Sequence, residues 1–165
     1  MNLNKNNSDY DIVFLSLARN CEKTLDKFFN FLEELKKNDF KVLSIVGENN
    51  SEDLTFDKIR RYSENSDLVK LLDTTFIEKF NDRILRLSKA RQHLKNFIHK
   101  ENITSKYICV IDLDEVIEGG ISYQKFISLK KILDKNDDKF FAISVKTSPY
   151  YYDILNYEDE NNINL

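Results

Sequence analysis

Two aspartates, Asp112 and Asp114, stand at the end of an unbroken run of five apolar or aromatic residues, Tyr107-Ile-Cys-Val-Ile111, with Glu115 and Glu118 close behind. A β-branched run without Gly or Pro reads as a strand buried on both faces. Carboxylates are costly inside such a strand, so they belong at its C-terminal end, where open α/β sheets bind ligands. In a strand, residues i and i+2 share a face roughly 7 Å apart, at about 3.3 Å rise per residue. That is too wide to clasp one ion, so the chain bends there or the two carboxylates do different jobs. Hard oxygen ligands of this kind suit Mg²⁺ or Mn²⁺ carrying a phosphorylated substrate. Taken alone, such a pair is more often an acidic strand-to-loop junction with solvated carboxylates; its context is what lifts it here.

Other polar groups fall where further strands should end. Asp11–Leu17 reads as a first buried strand, followed by Ala18-Arg19-Asn20, with Asn20 a good N-cap. Leu25, Phe28, Phe29, Leu32 and Leu35 then mark an amphipathic helix. Lys41–Val46 is a second strand, broken by Gly47 and followed by the polar loop Glu48–Asp53. A short helix over 54–62 and a short strand over 68–72 come next. A long helix runs from Asn81 or Asp82 to about Lys100. Ile84, Leu87, Ala90 (or Arg91), Leu94 and Phe97–Ile98 mark its apolar face, and Arg86 and Arg91 are its candidate phosphate ligands. After the aspartates, Gly119-Gly120 allows a sharp turn, and Phe126, Leu129, Ile132 and Leu133 mark another helix. Phe140–Val145 is a fifth strand, and Pro149 opens a Tyr150–Asp153 segment.

Strands alternating with helices imply an α/β fold with a doubly wound, mainly parallel sheet in a single domain. Residues 1–10 read as a disordered or extended N-terminus, 11–153 as the domain and 154–165 as a polar tail. In such a sheet the loops after successive strands line one crevice. Arg19-Asn20, Glu48-Asn49, Asp112/Asp114 and Arg86/Arg91 would together accommodate a nucleoside diphosphate: carboxylates on ribose or base, arginines on phosphate and an acidic metal site. Singly, each has a plainer reading as a cap, a turn or a solvated helix face; their convergence is what carries weight. His93 and His99, six residues apart on one helix, fall on different faces and read as surface or satisfied histidines.

Composition narrows the classes. The 165 residues carry a net charge of −3 with both signs interspersed, which does not suggest a nucleic-acid surface. With 41% hydrophobic and 12% aromatic residues the chain is globular. Two cysteines, Cys21 and Cys109, lack metal-type spacing and fit a reduced, intracellular setting. No apolar stretch approaches the ~20 residues of a membrane helix, and the polar start is no signal peptide. The expected location is cytoplasmic, either free or peripheral to the inner face of the membrane. No G-x-G-x-x-G, G-x-x-x-x-G-K-[ST] or G-x-S-x-G follows any strand.

The order of Ser16-Leu-Ala-Arg-Asn20, Glu48-Asn-Asn-Ser-Glu-Asp-Leu-Thr55, Arg86-Leu-Ser-Lys-Ala-Arg91, Asp112-Leu-Asp114 and Tyr151-Tyr-Asp153 resembles a GT-A glycosyltransferase. Within that group it is similar to bacterial family-2-like relatives of the capsule-associated mannosyltransferases. The resemblance covers about Asp11 to Asp153. It implies a GT-A-like (Rossmann-like) fold and transfer of a sugar from a nucleotide-sugar donor to a glycan or other hydroxyl acceptor, in polysaccharide or glycan biosynthesis. It implies that Ala18, Arg19, Asn20, Glu48, Asn49, Arg86 and Arg91 hold the nucleotide. Asp112 would engage the ribose and partner Asp114, the direct ligand of Mn²⁺ or Mg²⁺. An inverting enzyme also needs a general base, for which Asp153 is the candidate.

Enzymes of this type normally continue beyond the Tyr-Tyr-Asp segment, whereas only residues 154–165 follow here. The expectation is a complete donor half and a shortened acceptor half. One alternative is therefore a donor-binding domain without turnover. A homo-oligomer is one way for a shortened fold to hide exposed apolar surface. A second alternative rests on Val110–Ile117, which also resembles the first motif of haloacid-dehalogenase-type phosphatases, with Asp112 as nucleophile and Asp114 as general acid. That reading leaves the upstream segments unexplained.

Overall fold

The computed structural model describes residues 8–114, 117 and 121–136. The chain divides into two compact units, Met1–Gln124 and Lys125–Leu165. Four strands, β1 (Tyr10–Ala18), β2 (Val42–Glu48), β3 (Val69–Asp73) and β4 (Ser105–Val110), form one sheet in the order β3-β2-β1-β4. All three pairings are parallel. Helices α1 (Glu22–Lys37), α2 (Thr55–Asn65) and α3 (Arg83–Lys100) lie between consecutive strands, and a short 3-10 helix (Thr75–Lys79) precedes α3. This is an α/β fold with an all-parallel sheet flanked by helices, consistent with a Rossmann-like architecture.

Side chains alternate across a strand, so β1 presents two apolar faces. On one, Phe14 meets Phe28 and Phe31 of α1 edge-on, with ring centroids 6.2 and 5.9 Å apart. On the other, Val13 packs with Leu43 and Ile45 of β2 and with Leu94 and Ile98 of α3. The periodic positions of α1 are all buried, and so are Thr24 and Phe31 beside them. A strand apolar on both sides is thus the physical centre of the unit.

Three expectations about the strands and the first helix need correction. Gly47 does not break β2, which runs through it to Glu48. A Cβ at that position would lie 2.7 Å from Thr74 Cγ2 and 3.0 Å from Leu94 Cδ2, so the glycine permits close packing within the strand. Asn20 does not cap α1: Cys21 occupies the N-cap position without a side-chain bond, and Asn20 turns the chain at φ 52°. Finally, β4 is not buried on both faces; Ile108 and Val110 are 57% and 60% exposed. These two pair with Val13 and Leu15, on the face where α3 packs over β1 and β2, and β4 is the outermost strand among the described residues.

The long helix begins as expected, with Asp82 Oδ1 accepting from Leu85 N at 2.6 Å. Ala90, Leu94 and Ile98 are buried, whereas Ile84, expected on the apolar face, is 71% exposed. The helix predicted after the aspartates is α4 (Tyr123–Lys135), in which Lys130 and Asp134 pair at 2.7 Å. Residues 1–7, the Gly119-Gly120 turn, the strand expected at 140–145, Tyr150–Asp153 and the tail 154–165 lie outside the described residues. Among the described residues no helix is long and apolar enough to cross a membrane.

Candidate functional site

In a parallel sheet every strand delivers its following loop to the same edge, and ligands favour the point where strand order reverses. Here that point lies between β1 and β4. Three loops meet around it, and named bonds tie them together.

The loop after β1 is tied to the loop after β2. The Ala18 carbonyl accepts from Asn49 N at 3.1 Å. Asn20 N donates to Ser51 Oγ at 3.0 Å, and Asn20 Oδ1 accepts from Glu52 N at 2.8 Å. Asparagine tolerates the left-handed conformation at φ 52° that this bridge requires. Cys21 N donates to Thr55 Oγ1 at 2.7 Å. Glu22 N donates to Asp53 Oδ2 at 3.2 Å, and Glu22 Oε2 accepts from Leu54 N at 2.8 Å. Arg19, beside this stitching, is exposed.

Glu48 closes β2 and is buried, with Oε1 accepting from Ser51 N at 2.8 Å. One carboxylate oxygen is therefore engaged in shaping the loop. Its carbonyl accepts from both Thr74 N (2.9 Å) and Thr74 Oγ1 (2.7 Å). Asn49 is 9% exposed, and its Oδ1 is a buried acceptor without a partner among the described residues. Ser16 and Ser44 share that condition inside the strands, but Asn49 lies at the loop edge. A buried acceptor left open is costly unless something donates to it.

The loop after β4 carries the two aspartates. Ladder bonding reaches Ile111, whose N–H donates to the Leu15 carbonyl at 3.1 Å. Leu113, between the aspartates, is buried, and its carbonyl accepts from Thr24 Oγ1 of α1. Ile117 N donates to the Asp114 carbonyl at 3.2 Å. This bond lies after the second aspartate and does not itself draw Asp112 and Asp114 together. Asp112 is half-buried and Asp114 exposed.

Of the two helix arginines, only Arg91 reaches the aspartates, with Nη2 at 3.6 Å from Asp112 Oδ1. Arg86 donates through Nε to the Phe80 carbonyl. Five residues along a helix rotate by about 140°, so the two cannot share a face. Asp153 lies outside the described residues.

Charge around the edge is uneven. Burial pushes the Cys21 thiol up to about 11; the Thr55 hydrogen bond opposes this, and the carboxylates of Asp53 and Asp114 add to it. Burial likewise raises Cys109 to about 11, and both cysteines are free thiols. Burial also pushes Asp53 up, but hydrogen bonds from Thr55 and Glu22 prevail and hold its carboxyl below the ordinary aspartate value. Among the described residues, no three His, Cys, Asp or Glu side chains gather to hold a metal ion unaided. The donors present, two hard carboxylates at a solvent-facing strand end, fit Mg²⁺ or Mn²⁺, which take one or two carboxylates and complete their shell with phosphate oxygens and water.

Thr24, Ser51, Asp53 and Thr55 organise this edge; the last three lie in the Glu48–Thr55 segment but carried no expected role of their own. The Asp53-x-Thr55 pair was readable as a local turn, since Asp53 Oδ1 accepts from Thr55 N at 2.9 Å. Thr24 had no such signal. No family model matches the chain, and no curated protein matches it.

Proposed function

We propose that the C-terminal edge of the sheet binds the nucleoside diphosphate of a nucleotide-sugar, and that the protein is a GT-A-like glycosyltransferase or the donor-binding portion of one. The observation that carries this reading is the tying of three loops into one edge. Asn20 holds the second loop to the first and Thr24 holds the third, so Arg19, Glu48-Asn49 and Asp112/Asp114 belong to one neighbourhood. Bonds between loops rather than within them pre-order a site, which lowers the entropy lost on binding.

In this reading Asn49 Oδ1 accepts from an N–H of the base, and the free oxygen of Glu48 accepts from base or ribose. Asp112 takes the ribose and, with Asp114, holds a divalent ion on the diphosphate. The ion supplies electrostatic stabilisation of the leaving nucleoside diphosphate. Arg19 and Arg91 add positive charge beside the same phosphates, while Arg86, committed to the Phe80 carbonyl, braces the start of α3. Asp153 is the base proposed for activating the acceptor hydroxyl.

Thermal unfolding with UDP, GDP, CDP and ADP, each with and without Mn²⁺, tests the reading. A ligand at 100 times its dissociation constant stabilises the native state by about 2.7 kcal/mol. The expected result is one nucleotide that stabilises only with metal, an effect lost in Asp114→Ala. No shift with any nucleotide overturns the donor site and makes a phosphatase assay on Asp112→Asn the next step. Binding without sugar transfer leaves the donor-binding portion as the function.

A further inference from the structure

The Arg91–Asp112 pair has a geometry that points to more than a surface contact. At 3.6 Å it is longer than the 2.7–2.9 Å of a formed charge-assisted hydrogen bond, and the side chains are 47% and 42% exposed. A pair this long and this wet is weakly held. Yet Arg91 stands where a cation on Asp112 would meet a like charge. We propose that Arg91 is a placeholder: it occupies Asp112 while the site lacks donor, and transfers to the diphosphate when donor and cation arrive together. This rests on the donor reading above.

The two charges on offer explain the direction of transfer. A divalent ion alone must displace a guanidinium from Asp112 and then sit beside it. A diphosphate brings negative charge and planar acceptor pairs, which suit a guanidinium better than one distant carboxylate oxygen does. Arg91 is therefore drawn off Asp112 by the same ligand that completes the metal shell. The consequence is reciprocal coupling: nucleoside diphosphate tightens the metal, and metal tightens the nucleoside diphosphate. Arg86 lies about 140° around the helix from Arg91, with its Nε on the Phe80 carbonyl, and does not face Asp112.

The experiment is Mn²⁺ binding to the full chain, followed by the electron paramagnetic resonance of the free ion, with and without the nucleoside diphosphate found above. Arg91→Gln should bind Mn²⁺ alone about two- to fivefold more tightly than the wild type, the range of a released surface pair. The same variant should bind the nucleoside diphosphate with metal about tenfold more weakly. Arg91→Lys keeps the charge and should return the weak metal binding, while restoring the nucleotide only in part, and it serves as the readout if the glutamine variant does not fold. Unchanged or weaker Mn²⁺ binding in Arg91→Gln, with normal nucleotide binding in the wild type, overturns the placeholder and spares the donor site. No metal-dependent nucleotide binding in the wild type overturns both.

Discussion

The backbone N–H of Cys21 donates to the buried hydroxyl of Thr55 at 2.7 Å, joining the N-cap of α1 to the first turn of α2. A buried N–H left without its acceptor costs about 1–3 kcal/mol. Thr55→Val keeps the shape and removes the acceptor, so urea unfolding should show a loss in that range, with Thr55→Ser recovering most of it. A valine variant as stable as the wild type would mean that the N–H finds another partner.

Gly47 offers a test of packing. Alanine there places a methyl 2.7 Å from Thr74 Cγ2, and overpacking of this kind costs about 1–3 kcal/mol. Thr74→Ser removes the clashing carbon but keeps the hydroxyl on the Glu48 carbonyl. The double variant should therefore be more stable than the sum of the single ones predicts, a coupling that a double-mutant cycle reads directly. Strict additivity would place the strain elsewhere.

Asp53 makes stability depend on acid. Hydrogen bonds from Thr55 and Glu22 outweigh burial and hold its carboxyl below the ordinary 3.8. A depressed carboxyl contributes stability above its unfolded value, and that contribution is lost as pH falls through the folded one. Asp53→Asn should cost about 1 kcal/mol at pH 7, the worth of a helix-start acceptor. The gap between variant and wild type should narrow once pH drops below about 3.8. A gap that stays constant down to pH 2 would remove Asp53 from the acid response.

Asn49 separates binding from stability. Its Oδ1 is buried and has no partner among the described residues, so Asn49→Leu should leave the fold as stable as the wild type or about 1 kcal/mol more so. The same change should abolish the metal-dependent nucleotide shift proposed above. A leucine variant that binds nucleotide normally would exclude Asn49 as a contact to the base.

The four described strands were legible because short apolar runs leave few alternatives, and α1 because five apolar positions recur at helical spacing. Gly47 was misread because a glycine is a stop signal locally, while the close approach of Thr74 and Leu94 that requires it is tertiary. Asn20 is as good a bridge as a cap, and one sequence does not say which role it takes. The burial of β4 depends on which elements cover it, a property of neighbours and not of Tyr107–Ile111. That Arg86 and Arg91 must part company was readable from their spacing of five. The bond from Thr24 to the Leu113 carbonyl spans 89 residues and could not be read locally.

The placement of β1 in the middle of the sheet also sets the order of events as the chain is made. Its partner on one side, β2, follows almost at once, but its partner on the other, β4, begins 95 residues later, as the bond from Asp9 N to Thr104 Oγ1 marks. At about 5–20 residues per second, that interval lasts roughly 5–20 s on the ribosome. For all of it the most apolar strand keeps one edge unpaired, and a pairing this distant in sequence is of the kind that slows folding. The same step completes the site, because Asp112 and Asp114 follow directly on the strand that closes it.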